Sequence, residues 1–202
     1  MATRGLVHGP LGENCLHVCV DMQRLFGKGS PWAVPWMDNV LPAIEKLVVS
    51  HPEATLFTRF IPAERPGDGP GTWSAYYRRW AEITLDRLDP ELLELAPSLA
   101  RFVPPARVLD KRVYSPWTEG GLDNLLRGTA VDTLIITGGE TDVCVLGTVL
   151  GAIDRGYRTI LVTDAICSSA DETHDALMTL YSTRFSEQVE AITTAEVLEA
   201  WR

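Results

Sequence analysis

The sequence lacks the features that mark several large protein classes. It contains no uninterrupted apolar run near the roughly 20 residues that cross a bilayer. Its start, MATRGLVHGPLGEN, has neither a basic stretch nor a continuous apolar one of the kind that directs secretion. Positive charge is also scarce, with 18 Lys and Arg against 27 Asp and Glu, a formal charge of -9. Without clustered cations there is little to hold a phosphate backbone or an anionic lipid surface. The four cysteines, at 15, 19, 144 and 167, form no CxxC pair, and a chain of 202 residues buries enough core to do without disulfides. These absences predict a soluble, cytoplasmic protein with reduced thiols and neither nucleic acid nor membrane as partner.

With 46% hydrophobic and 22% charged residues, the chain reads as one globular domain, 1–202. Its first dozen residues, rich in Gly and Pro, predict an arm (1–13) on the surface or against a neighbouring subunit. Beyond it, apolar β-favouring runs alternate with helical stripes. CLHVCVD, ATLFTRF, ARVLDK, VDTLIITGG, RTILVTDA and QVEAITT read as strands. MDNVLPAIEKLVVSH, GLDNLLRGTA, DVCVLGTVLGAIDRGY, DETHDALMTLYSTRF and AEVLEAW read as helices, with 73–88 and 90–102 helical in part. Nearly all-apolar strands alternating with helices predict an α/β fold, a three-layer α-β-α sandwich with a mostly parallel, Rossmann-like sheet. No internal repeat or low-complexity segment interrupts the pattern.

Ligands of open parallel sheets sit at the carboxyl ends of the strands. That rule selects Asp21 after the first strand, Lys111 at the end of the third and Cys144 after the fourth. A thiol, a carboxylate able to move its proton and an ammonium that stabilises the anionic pair suit a cysteine hydrolase. At the start of a helix, Cys144 would meet unpaired N–H groups and the positive end of the macrodipole, which lower a thiol pKa and can serve an oxyanion. Cys15, His17 and Cys19 share one face of a strand, a line and not a tetrahedral cage, and read as core. Cys167 reads as buried filler, and His174 as ordering a helix or an interface.

The segments VDMQRLF (20–26), DKRVYSPW (110–117) and GGETDVCV (138–145) resemble the three signature segments of the isochorismatase-like cysteine hydrolases. This superfamily includes nicotinamidases and N-carbamoylsarcosine amidohydrolases. The likeness in order and spacing runs from about residue 14 to the end. By motif position it implies Asp21 as general base and acid, Lys111 as its charged partner and Cys144 as nucleophile. It further implies a cis peptide at Gly139–Glu140 that turns the N–H of Glu140, with that of Cys144, toward the substrate oxygen. It also implies a homo-oligomer, dimer or tetramer. Glu140 departs from the small or apolar residue of many relatives; its side chain can face solvent, touch substrate or perturb nearby titrations.

Metal-dependent nicotinamidases carry an Asp and His cluster after the second strand. The corresponding TRFIPAERPGDGPGTW has no histidine, and Asp68 alone makes a poor site, so no metal or other cofactor is expected. A thiol at 144 suits thioester chemistry on a small molecule: an amide, urea or carbamoyl compound. The alternatives are an isochorismatase-type or nicotinamidase-type hydrolase, or a non-catalytic binding protein. Candidate substrate contacts are Phe26, Trp73, Tyr76, Tyr77 and Trp117, as aromatic walls. Arg59 is either a fork for a substrate carboxylate or carbonyl, or one side of a salt bridge. Thr141 either caps the following helix or touches substrate.

Overall fold

A computed structural model describes residues 5–201. The strands are β1 (Cys15–Val20), β2 (Thr55–Phe60), β3 (Arg107–Lys111), β4 (Thr133–Gly139), β5 (Arg158–Cys167) and β6 (Val189–Ile192). They form one six-stranded sheet in the order β3-β2-β1-β4-β5-β6, with every neighbouring pair parallel. Every residue of β1 and β4 is buried, because helices cover both faces and leave no side of these central strands for water.

The helices are α1 (Met37–Ser50), α2 (Trp73–Arg79), α3 (Pro97–Ala100), α4 (Gly121–Leu126), α5 (Cys144–Asp154), α6 (Asp171–Thr183) and α7 (Thr194–Ala200). Alternation along β1 splits the core between the two faces. Cys15 and Cys19 pack with Ile44 and Leu47 of α1 and Val197 of α7. Leu16, Val18 and Val20 pack with Leu122 of α4, Val145 and Val149 of α5 and Tyr181 of α6. The three layers are those that the sequence alternation predicts.

Two helical expectations shrink. The segment 73–88 is helical only through Arg79, followed by a 3-10 turn at Ala81–Ile83, and 90–102 keeps a 3-10 turn at Pro90–Leu93 and the single turn of α3. Pro90 and Pro97 sit at first-turn positions where a missing N–H costs nothing, and neither fits a helix interior. The side chains of this region build a separate cluster, in which Tyr77, Ile83 and Leu88 pack on Leu25 and Phe60 above the end of the sheet.

The arm folds back on its own chain over residues 5–13, while residues 1–4 lie outside the described residues. Glu190 Oε1 accepts from the amides of Val7 and His8 at 2.6 and 3.1 Å, and Arg158 donates to the carbonyls of Gly9 and Pro10. Leu11 is buried and bridges to Trp201.

The Cys15, His17 and Cys19 row lies inside the core. His17 is fully buried between two hydroxyls, Thr55 Oγ1 at 3.3 Å and Thr137 Oγ1 at 2.8 Å. Burial, with a smaller contribution from His51, pulls its pKa down to about 3. Between pH 6.5 and about 3 the unfolded chain therefore binds a proton at this position that the folded chain refuses, and stability falls as the pH falls. His17 alone is expected to remove about 2 kcal/mol between pH 7 and pH 5. Urea unfolding of wild type and His17→Gln at both pH values measures it as the part of the loss that the variant escapes; equal losses in the two proteins would refute the assignment.

Candidate active site

The strand order reverses direction between β1 and β4, and the two chains leaving that point part to form a crevice at the carboxyl edge. Asp21 leaves β1 there, and Cys144 opens α5 on the other side. The close approach depends on glycine at 138. It pairs with Val20 at a φ of 105°, and a Cβ there would lie 2.1 Å from the Val20 carbonyl oxygen.

Asp21, at a φ of 51°, is 1% exposed, and Lys111, the last residue of β3, is 2% exposed. Lys111 Nζ donates to Asp21 Oδ2 at 2.6 Å and to Cys144 Sγ at 3.4 Å, and also to the Val113 carbonyl at 3.2 Å. Thr58 Oγ1 donates to Asp21 Oδ1 at 2.5 Å, so both carboxylate oxygens are held. Desolvation works against the Lys111 ammonium, but Asp21 and Cys144 outweigh it and its pKa stands above the ordinary lysine value.

Cys144 has the opposite balance to the one its helix position predicts. Burial pushes the thiol pKa well up, Asp21 pushes in the same direction, and Lys111 only partly offsets them. A helix terminus acts through partial charges, whereas the nearby carboxylate carries a full one and desolvation acts on the whole thiolate. Both influences favour the protonated thiol, and the thiol and the Asp21 carboxylate share the ammonium of Lys111.

The turn before α5 contains a cis peptide between Gly139 and Glu140. The Glu140 carbonyl accepts from the amides of Val143 and Val145, and the Thr141 amide donates to the Cys167 carbonyl at the end of β5. Among the described residues the amides of Glu140 and Cys144 show no such bond. Thr141 neither caps α5 nor lines the cavity: its Oγ1 donates to the Cys167 carbonyl at 3.1 Å and lies 2.9 Å from His174 Nδ1, tying the turn to β5 and α6. Glu140 Oε2 accepts from Ser169 N at 2.8 Å, Ser169 Oγ at 2.5 Å and Ser168 Oγ at 3.3 Å.

Cys144 lines a cavity of about 330 Å³. Its walls are mainly aromatic, with Phe26, Trp32, Phe60, Tyr76, Trp80 and Tyr114, and Glu140, Val143 and Ser169 line it beside the thiol. Trp32 organises one wall, with its ring 5.9 to 6.2 Å from those of Phe26, Phe60, Tyr76 and Trp80.

Of the aromatic residues the sequence suggests, Phe26 and Tyr76 reach the cavity and three do not. Trp117 is buried against α5, where its Nε1 donates to the Thr148 carbonyl and its ring covers Gly151. Trp73 and Tyr77 stack on each other behind the wall, with Tyr77 3% exposed. Arg59 is also elsewhere: it forms a two-point pair with Asp110 at 2.8 and 3.0 Å, and its remaining nitrogen donates to Glu94 at 3.0 Å. Sequence reasoning did not select Trp32, Phe60, Trp80, Tyr114 or Ser169. Tyr114, inside the DKRVYSPW segment, was the one with a signal.

The segment after β2 does not fit a metal centre. Asp68 Oδ2 accepts from the Arg65 amide within its own loop, and the described residues contain no group of three His, Cys, Asp or Glu side chains placed to bind an ion.

The fold and the buried carboxylate, ammonium and thiol at its switch point define a class of α/β proteins built around a strand-end cysteine. Residues 15–196 match the Isochorismatase domain, and the chain belongs to the isochorismatase family. It is 32% identical over 112 residues to the uncharacterized isochorismatase family protein YwoC of Bacillus subtilis, and 30% identical over 69 residues to the maleamate amidohydrolase of Pseudomonas putida. Those alignments cover 52% and 34% of this chain, and the chain spans only 58% and 32% of those relatives' own lengths. The crystal structure of a cysteine hydrolase from Pseudomonas syringae superposes over 98% of both chains with a TM-score of 0.81 at 27% identity. The N-carbamoylsarcosine amidase of Thermoplasma acidophilum shares the fold, with a TM-score of 0.71 at 21% identity over 89% of this chain and 96% of its own. No helix among the described residues is long and apolar enough to cross a membrane.

Proposed function

We propose that this protein hydrolyses a C–N bond of a small amide, ureido or carbamoyl compound through an acyl-thiol intermediate on Cys144. The observation that carries the reading is the single ammonium of Lys111, which contacts both Asp21 and Cys144, the latter in the lining of an aromatic cavity. Burial and Asp21 both favour the protonated thiol, so in this scheme attack and proton transfer run together. Asp21 takes the Sγ proton as sulfur bonds to the carbonyl carbon, and Lys111 holds the negative charge that passes between them.

The amides of Glu140 and Cys144 serve the oxygen of the tetrahedral intermediate, a contribution worth a few kcal/mol per donor. When the C–N bond breaks, Asp21 returns the proton to the departing nitrogen, which leaves as amine or ammonia. Water then attacks the thioester, Asp21 takes its proton, and the acid departs as the proton returns to sulfur.

A panel of amides, ureas and carbamoyl compounds, assayed for ammonia release and by intact mass, tests the scheme. The expected result is turnover of at least one member with an adduct on Cys144 equal in mass to its acyl group. Turnover with no cysteine adduct under rapid quench, or no turnover across the panel, would overturn it.

A further inference from the structure

The proposed hydrolysis leaves the substrate class open, and the charge of the cavity narrows it. Its lining contains one acidic side chain, Glu140, and no Lys or Arg. Lys111 is outside the lining, its ammonium bonded to Asp21 and Cys144. Arg59, the cation that the sequence offered to a substrate carboxylate, is consumed by Asp110 and Glu94.

Glu140 itself is positioned and unneutralised. All three of its donors, from Ser168 and Ser169, converge on Oε2, and Oε1 accepts no hydrogen bond among the described residues. Neither Glu140 nor Asp142, which is joined to it through Ser168 Oγ, forms an ion pair among those residues. Trp32, Tyr76, Trp80 and Tyr114 line the same cavity, and Arg79 lies over the Trp80 ring at 5.5 Å. The negative field of Glu140 reaches Tyr114, where it helps raise the phenol pKa together with burial, the larger cause, and Cys144. A carboxylate in an aromatic-lined cavity attracts a weakly hydrated organic cation and repels an anion.

We infer that the substrate carries a positive charge close to the scissile group: a small amide bearing a quaternary or protonated amine, received by Glu140 and the aromatic walls. This rests on the hydrolase reading above. It also assigns Glu140 a purpose, since a carboxylate held beside the oxyanion position would weigh against a neutral or anionic substrate and is offset by a cationic one.

Three amides of similar size separate the possibilities: (trimethylammonio)acetamide, its uncharged isostere 3,3-dimethylbutanamide, and the anion malonamate. In wild type, kcat/KM for the cation is expected to exceed that for the isostere by about tenfold or more, with the anion below both. Glu140→Gln should cut the cation-to-isostere ratio to about threefold or less, and Tyr114→Leu, at an exposed position, should lower it independently. A ratio near one in wild type, or one that neither variant changes, would overturn the inference.

Binding to Cys144→Ala, followed through fluorescence of Trp32 and Trp80, gives a readout free of turnover. Tighter binding of the cation there with no ammonia released by wild type would leave this inference standing and remove the hydrolase scheme. Equal hydrolysis of all three amides would do the reverse.

Discussion

Cys144→Ala is expected to lower hydrolysis by at least about a thousandfold while the protein stays folded. The thiol is the atom that bonds to the acyl group, so no other side chain in the cavity replaces it. Its structural share is small. Sγ accepts one long hydrogen bond from Lys111 at 3.4 Å, and Lys111 keeps its bonds to Asp21 and Val113 without it. Loss of a single sulfur from a cavity wall should therefore change unfolding free energy by no more than about 1 kcal/mol. Steady-state kinetics on the best amide, beside urea unfolding and circular dichroism, measures both quantities. Activity within tenfold of wild type would eliminate the acyl-thiol route, and an unfolded variant would show that the sulfur holds the fold.

Lys111→Met should have the largest effect on stability. It leaves the Asp21 carboxylate buried with Thr58 as its remaining side-chain partner, and an uncompensated buried charge costs about 3–5 kcal/mol. Adding Asp21→Asn removes the charge, and the double variant should regain most of the lost stability and none of the activity, since the base is gone. Urea unfolding of the two single variants and the double variant yields the coupling energy. Additive losses would show that the two charges do not depend on each other.

Much of this site was legible because it is written at strand ends. An apolar run that stops at Asp21, another that stops at Lys111 and a Gly-rich turn before Cys144 place three chemical groups on one edge of any parallel sheet. Periodicity also told His17 from a ligand, because alternate residues of an interior strand face a core. The cavity wall was much less readable. Trp117 and Tyr114 lie in the same short segment, yet Trp117 packs on Gly151 of α5 while Tyr114 faces the cavity. Nothing local separates them, since the choice depends on a helix more than 30 residues away in sequence. Arg59 illustrates the same limit. Its pairing partner Asp110 is its register neighbour on β3, and that register exists only once the sheet has formed.

By itself the sequence determined the layered α/β fold, the strand-end placement of Asp21, Lys111 and Cys144 and the likeness to one hydrolase family, because hydrophobic period and motif order are local properties. The tertiary structure decided the rest. It set the Cys144 thiol above its ordinary pKa, since burial and a full carboxylate charge outweigh a helix terminus. It chose which aromatic rings face the cavity, and it left Glu140 there without an ion pair among the described residues, because side-chain direction and ion pairing depend on neighbours that only folding brings together.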